Sequence, residues 1–445
     1  MFIAINNRIS ALQNAAPGYI RALTSGYILM GTNMLVQFAM VPFYLKYLGE
    51  RQFGLLMMLL SLINFAAIGI TWMSGGLVRV IGEFWAKSDM DGFRNAFAVG
   101  KYVFTIYALL VATVGIVIWL VLYRDTAHED VLTSAVFLAG LYLVLNYEAL
   151  PERQAFVGVN QQETGNYIEI ARILLFAVLT YLLLPQLRDL SAVWIALLSG
   201  VVLQRVVTGR YWAKRIGGTG WHMFLPEMRP ILKRLAGTQG AGYVIYGALL
   251  LMQQADTVIV GFIGGAEMAG QFVLLWKIPE TIGLLLWRIP STIEPRVIQL
   301  DASGQQDKLH TTFIKGRRWF FVIVAFVALI YMLMGRWLAE LWVGEHAPDA
   351  RWMYIAAGFA LFFNAFSRWP ISFAYALIQL AGLVKIAAIE VACKLILTIV
   401  LFQYINIAAP IIAYVITHVG YVAWGYQRLG KFITPVPCEQ REIVC

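Results

Sequence analysis

Residues 318–338 read RWFFVIVAFVALIYMLMGRWL. From Trp319 to Gly335 nothing carries a charge, and arginines close the run on both sides: Arg317 and Arg318 before it, Arg336 after it. A helix needs ~20 mostly apolar residues to cross the hydrocarbon core of a bilayer. This stretch is long enough, and it has no polar face that would suit the surface of a soluble domain. Eleven more stretches of the same kind follow from the sequence. They run roughly over 22–45, 53–81, 96–123, 131–157, 166–184 and 191–212, then 240–263, 270–298, 352–378, 382–403 and 405–427. The first is too long for the core of a signal peptide and is followed by further spans, so it reads as an uncleaved helix.

The composition agrees. Of 445 residues, 60% are hydrophobic, 14% aromatic and only 13% charged, and the mean hydropathy is +0.71. A soluble globular chain is about half apolar and about a quarter charged. A soluble enzyme, a disordered chain and a single-anchor protein are therefore excluded. The expected fold is an all-α polytopic membrane protein with about twelve transmembrane helices, solvated by membrane lipids.

The net charge is +9, from 34 Lys and Arg against 25 Asp and Glu. The basic residues fall between apolar stretches, so the positive-inside rule accounts for them and nucleic acid is not an expected partner. One set of connections carries most of them, including Arg79, Lys87, Arg94 and Lys101, then Lys214 and Arg215, Arg317 and Arg318, and Arg428 and Lys431. The other set carries only Lys46, Arg51, Arg124, Arg188, Arg336 and Arg351. Both termini are expected in the cytoplasm, which requires an even number of spans. The longest interior connection, about 213–239, holds Gly217, Gly218, Gly220, Pro226 and Pro230 as loop punctuation. The expected organisation is a six-helix lobe at 1–215, a cytoplasmic linker at 216–239, a second six-helix lobe at 240–430 and a cytoplasmic tail at 431–445. Cys393, Cys438 and Cys445 imply no structural disulfide, and five scattered histidines give no metal-ligand spacing.

The two halves resemble each other at a nearly constant offset. Tyr47-Leu48-Gly49 and Phe53-Gly54 match Phe262-Ile263-Gly264 and Ala269-Gly270. Phe93 and Phe97 match Leu309 and Phe313, Pro151 matches Pro370, and Gly165 matches Gly382. The pattern is six spans repeated once in the same orientation. A substrate path is then expected between the halves.

Seven ionisable residues lie well inside predicted spans: Asp256, Lys277, Glu280, Arg288, Arg368, Glu390 and Lys394. At about 3 kcal/mol each, exposing them all to lipid would cost roughly 20 kcal/mol, so they must face one another or water. Trp276-Lys277-Ile278-Pro279 recurs as Trp287-Arg288-Ile289-Pro290 eleven positions later, about three helical turns, so Lys277 and Arg288 share a face. Each proline tends to kink the helix, and broken helices line cavities in membranes. Lys277 and Arg288 read as a wet cationic wall for an anionic substrate, or as inter-helix ion pairs. Glu280 is within ion-pair reach of Lys277. Asp256 reads as a coupling-ion site, as a partner of Lys277, or as a cap on a polar contact. Glu390 and Lys394 are four apart and are expected to pair with each other. Arg79 and Arg172 are candidates for phosphate contact at the cytoplasmic mouth, or snorkelling residues. Arg368 is expected to line a cavity. Trp194, Trp212, Trp337, Trp342 and Trp352 are expected as interface anchors.

No phosphate-binding loop or catalytic triad can be assembled. Gly425 to Lys431 has the glycine and lysine spacing, but Phe432 stands where Ser or Thr is required. An integral glycan polymerase or transferase would be expected to carry a large exterior domain, and the predicted exterior loops are short. A transporter is expected instead of an enzyme, without a cofactor.

Three stretches carry a family resemblance. Pro42 to Gly54 resembles the end of the first helix in bacterial polysaccharide flippases. Asp256 to Gly264 resembles their seventh helix, and Pro295 to Leu309 resembles the loop after their eighth. These proteins translocate undecaprenyl-diphosphate-linked oligosaccharide for O-antigen and exopolysaccharide assembly. They belong to the multidrug/oligosaccharidyl-lipid/polysaccharide exporter (MOP) superfamily, which implies two six-helix lobes around a central cavity. The resemblance implies a flippase in the bacterial inner membrane. Arg288, Lys277, Arg79 and Arg172 would bind the diphosphate, and Asp256 or Glu280 would take a proton or sodium ion. Glycosyltransferases and a polysaccharide polymerase are the partners it implies. An ion-coupled exporter of drugs or other small molecules is the alternative within the superfamily.

Overall fold

The computed structural model describes residues 19–122, 130–217, 225–236, 240–377, 379 and 381–433. Cys438, Cys445 and the predicted tail from 434 onward lie outside them. The described residues are helical, with no strand among them. In chain order the first helices are α1 (Tyr19–Ala86), α2 (Met90–Leu122), α3 (Asp130–Glu148), α4 (Leu150–Gly158), α5 (Gln162–Leu187) and α6 (Leu190–Ile216). After α7 (Leu225–Ala236) come α8 (Gly240–Gly264), α9 (Ala266–Ser291), α10 (Glu294–Ala302) and α11 (Gln306–Val343). The chain closes with α12 (Arg351–Ala376), α13 (Ala381–Ile405) and α14 (Ala409–Ile433). All twelve predicted spans are found in these helices.

Seven stretches of the described residues are long and apolar enough to cross a membrane. Two of them, Arg21–Ile70 with 50 residues and Gly382–Gly430 with 49, are about twice what one crossing needs. The remaining predicted spans are α8, α9 and α12, and Asp256, Glu280 and Arg368 of the site below lie on them. Large apolar side chains stand exposed along the helices, Trp319, Leu341 and Tyr404 at 72% to 77% among them. In water such a surface would aggregate; in a bilayer it is the lipid-facing side. The protein is a multi-pass membrane protein.

Several boundaries depart from the sequence expectation for physical reasons. Spans one and two form a single helical run, bent at Gly49, whose φ of 73° and ψ of 174° break the helix for one residue. Span four is divided at Ala149 into α3 and α4, with Pro151 in the first turn of α4, where its missing N–H costs nothing. Pro279 does not break α9, which stays helical through it to Ser291. The connection after α6 contains a helix, α7, where loop punctuation was expected. It buries Ile231 and Leu235 against the core while Lys233 and Arg234 stay exposed. Trp194 and Trp212, expected as interface anchors, are fully buried. Trp212 packs against Phe93, Phe156 and Tyr211 and donates its Nε1–H to the Glu152 carbonyl at 3.1 Å. Trp337 and Trp352 are exposed at 53% and 45%.

The chain divides into two compact units. Unit 1 is Met1–Gln52 with Leu62–Tyr243, and unit 2 is Phe53–Ser61 with Val244–Cys445. The short segment joins unit 2 through close packing at Gly54. A Cβ there would stand 1.6 Å from the Ala266 carbonyl oxygen and 3.0 Å from the Gly270 nitrogen.

The backbone carries the repeat more sharply than the side chains do. Gly49 and Gly265, both with positive φ (73° and 91°), stand 216 apart, so the partner of Gly49 is Gly265 and not the neighbouring Gly264. Ser88 and Gly304 form a second pair of left-handed residues at the same offset, and Arg188 and Asn406 a third, 218 apart. The ends of α1 and α10 (Ala86, Ala302) and the starts of α2 and α11 (Met90, Gln306) also stand 216 apart. Left-handed residues are uncommon outside glycine, so their recurrence at one spacing marks the same chain path built twice.

Candidate functional site

Five helices of unit 2 surround a cavity. α8, α9, α12, α13 and α14 enclose about 900 Å³ of atom-free space, part of it open to solvent. Its ionisable lining is Asp256, Glu280, Arg368, Glu390, Lys394 and His418. Trp276, Trp287, Tyr414 and Tyr421 supply aromatic surface. Of the six residues expected to bind substrate or a coupling ion, Asp256 and Glu280 are on this lining.

The charges are paired across helices. Lys394 of α13 donates to Asp256 Oδ2 of α8 at 2.6 Å and to the Met252 carbonyl, with the Tyr414 ring 5.4 Å from its ammonium. Both partners are buried. Glu390 bonds to Nδ1 of His418 on α14. The pair expected within α13, Glu390 with Lys394, is therefore not formed. Each side chain finds a partner on a neighbouring helix, which ties three helices together where a local pair would tie none. Asp256 likewise takes Lys394 instead of Lys277.

Lys277 pairs with Glu280 at 3.1 Å along α9, as the three-residue spacing predicts. Arg288 is exposed, and neither it nor Lys277 is on the cavity lining. Arg368 is on it. Its side chain is 7% exposed, stands 4.9 Å over the Trp287 ring and donates to Asn364 Oδ1 at 3.3 Å. It has no carboxylate within ion-pair distance among the described residues. A buried guanidinium without a counter-ion is costly, so this group is available to an anionic ligand.

Unit 1 holds a second buried network, which the sequence reading passed over. Lys101 of α2 bonds to Glu152 at 2.7 Å and Glu148 at 3.5 Å, and these three side chains are at most 6% exposed. Glu148 and Glu152, four residues apart, both reach the one ammonium. Arg205 pairs with Glu148 at 3.1 Å, and Thr208 donates to Glu152. Glu148 and Glu152 lie in or beside predicted span four, so their carboxyls were a legible signal. Arg172 donates its Nε–H to Glu169 at 3.0 Å, and Gln204 donates to the same carboxylate at 2.7 Å. Arg79 is largely exposed and pairs with Glu83 at 3.1 Å. Glu83 also meets Arg234 of α7. The hydrogen bond from Arg79, then the charge of Arg234, hold the Glu83 carboxyl below its ordinary value against the opposing effect of burial.

Solved structures of the same architecture exist. An inward-facing multidrug resistance MATE family transporter of the MOP superfamily matches with a TM-score of 0.64 at 15% identity, over 93% of this chain and 100% of that one. The chain has the fold of the MOP-superfamily transporters. The MATE multidrug transporter DinF-BH matches equally well, with a TM-score of 0.64, 15% identity and coverage of 94% and 96%. An outward-facing MATE family transporter of the same superfamily gives 0.57 at 14% identity, over 94% and 96% of the two chains. No protein-family model matches the sequence. No curated protein matches it either.

Proposed function

We propose that this chain is a membrane exporter whose cargo enters the cavity of unit 2. The carrying observation is that cavity: charged groups buried in a membrane-spanning helical unit, paired across helices around open aromatic-lined space. Intramembrane charges of this kind mark transport pathways. Two cargo readings follow. The structurally similar MATE transporters are described as multidrug transporters, which supports an ion-coupled exporter of small organic molecules ahead of the flippase. Arg368 favours the second reading, a flippase for polyprenyl-diphosphate-linked oligosaccharide. Such a cargo would place its diphosphate on Arg368 and its sugars on Trp276 and Trp287, with Lys277 and Arg288 of the same unit as outer cationic contacts. In either reading the protein sits in the inner membrane with both termini cytoplasmic, and the flippase reading adds a polymerase and glycosyltransferases as neighbours.

One experiment separates the readings. Ethidium extrusion, the lipid-linked oligosaccharide pool and surface polymer are measured in cells with the native chain, with Arg368→Gln and with none. Loss of extrusion alone without the protein supports the small-molecule exporter. Intact precursor accumulating in the inner leaflet, reproduced by Arg368→Gln, supports the flippase. No change in any of the three measurements refutes both.

A further inference from the structure

The two ionic couples of the unit 2 cavity differ in what they leave open. Around Lys394, a carboxylate oxygen of Asp256 and the carbonyl oxygen of Met252 converge on one positive centre. That oxygen set suits a hard cation, and the ammonium already fills it. Asp256 Oδ1 is buried without a partner, but protonating Asp256 would strand the buried ammonium of Lys394.

The Glu390–His418 couple is open. An ionised carboxylate only accepts, so the Nδ1–H of His418 donates to Glu390, and Nε2 of the neutral ring is left as an acceptor. That Nε2 is buried and has no hydrogen-bond partner, in a side chain 4% exposed on the cavity wall. Tyr414 and Tyr421 stack on the imidazole with centroids at 4.5 Å and 5.2 Å. Aromatic faces on both sides favour an imidazolium. The charged groups facing the dyad come from every helix around the cavity: Asp256 on α8, Glu280 on α9, Arg368 on α12 and Lys394 on α13. Lys394 is neutralised by Asp256, and Glu280 by Lys277. Arg368 and Glu390 are the remaining charges on the lining, and Glu390 is in direct contact with the ring.

We infer that the coupling ion of this exporter is a proton, taken up at Nε2 of His418 in the Glu390–His418 dyad, and not sodium at Asp256. The inference rests on the ion-coupled export reading. The matching positions of unit 1, at the offset of 218 fixed by Arg188 and Asn406, are Arg172 and Gly200. A Cβ on Gly200 would lie 3.1 Å from Arg172 Cγ, and neither residue titrates near neutrality. The dyad belongs to unit 2 alone.

The full chain is reconstituted in vesicles on a solid support, without cargo. Steps from about pH 8 to about pH 6, across the ordinary histidine range, are compared with sodium chloride steps at constant pH. A transient current is expected from the pH step and none from sodium. The current is lost in His418→Gln and Glu390→Gln and kept in His310→Gln. A native-sized pH current in His418→Gln, or a sodium current without a pH current, overturns the inference. Where His418→Gln does not reconstitute, ¹⁵N-histidine spectra of the native chain carry the test: a buried imidazole titrating between about pH 5 and pH 8 supports it, and none overturns it. The cell assays decide the export reading separately. Dyad-dependent currents with no effect on export would remove that reading and leave the proton site.

Discussion

Two buried lysines separate the units. Lys101 of unit 1 sits between two carboxylates, one of them also held by Arg205 and the other by Thr208. Lys394 of unit 2 meets one carboxylate and one carbonyl beside open space. Charge and burial are alike, but the surroundings are not. Unit 1 uses its ions as a clamp across α2, the α3–α4 break and α6. Unit 2 arranges its ions around a cavity and leaves nitrogen and oxygen atoms facing it. Meanwhile the left-handed turns of the two units agree at offsets of 216 and 218. The turns set the shared chain path, and the polar side chains set what each copy does with it.

The comparison breaks most directly at Lys101. Lys101→Met leaves buried Glu152 without a cation and Glu148 with Arg205 alone, and is expected to cost about 3–5 kcal/mol, read as a lowered melting temperature of the purified protein. A melting point near the native value would show that the unit 1 network is not a clamp. Lys394→Met strands one carboxylate and is expected to cost somewhat less, about 3 kcal/mol. Adding Asp256→Asn to Lys394→Met should recover most of that loss. If the double variant is no more stable than the single, the pair is not what holds α8 to α13.

Gly49→Ala and Gly265→Ala test the shared path. Neither Cβ would meet an atom within 4 Å, so the only penalty is a positive-φ, extended-ψ backbone that is essentially reserved for glycine, about 1–3 kcal/mol each. Unequal losses in thermal melts would mean that the two joints are not equivalent. The smallest effect belongs to Glu83. Its carboxyl is depressed in the folded state, so its contribution is present above the unfolded carboxylate range and is lost as the pH falls through the folded value. The melting difference between the native chain and Glu83→Gln should therefore shrink on acidification, and a difference that grows would contradict the Arg79 and Arg234 contacts.

The fold was legible because bilayer crossing demands length and apolarity, and both are one-dimensional properties. The Lys277–Glu280 pair was legible for the same reason, being local along one helix. Partners on different helices were not. Spacing favours Glu390 with Lys394, yet the packed unit offers His418 and Asp256, and nothing in the spacing of α13 says which neighbours will arrive. His418 escaped notice as a single histidine on an apolar helix, a pattern that carries no ligand signature. The Glu148–Glu152 pair was legible as two carboxyls one turn apart within span four, but its partner Lys101, on another helix, was not. Arg288 looked central by sharing a face with Lys277, but shared face does not decide which side of a helix meets the cavity.

The exchange of partners in α13 has a consequence for how the protein is made. Helices enter the bilayer from the insertion machinery in chain order, so α8 with Asp256 is present before α13 emerges, and α14 with His418 comes after it. At that moment Glu390 has no final partner. Its position four residues before Lys394 gives it a temporary one, which leaves Lys385 as the single uncompensated charge of α13. The same four-residue spacing that misdirects a reading of the finished site is thus suited to insertion, before Asp256 and His418 take the two side chains.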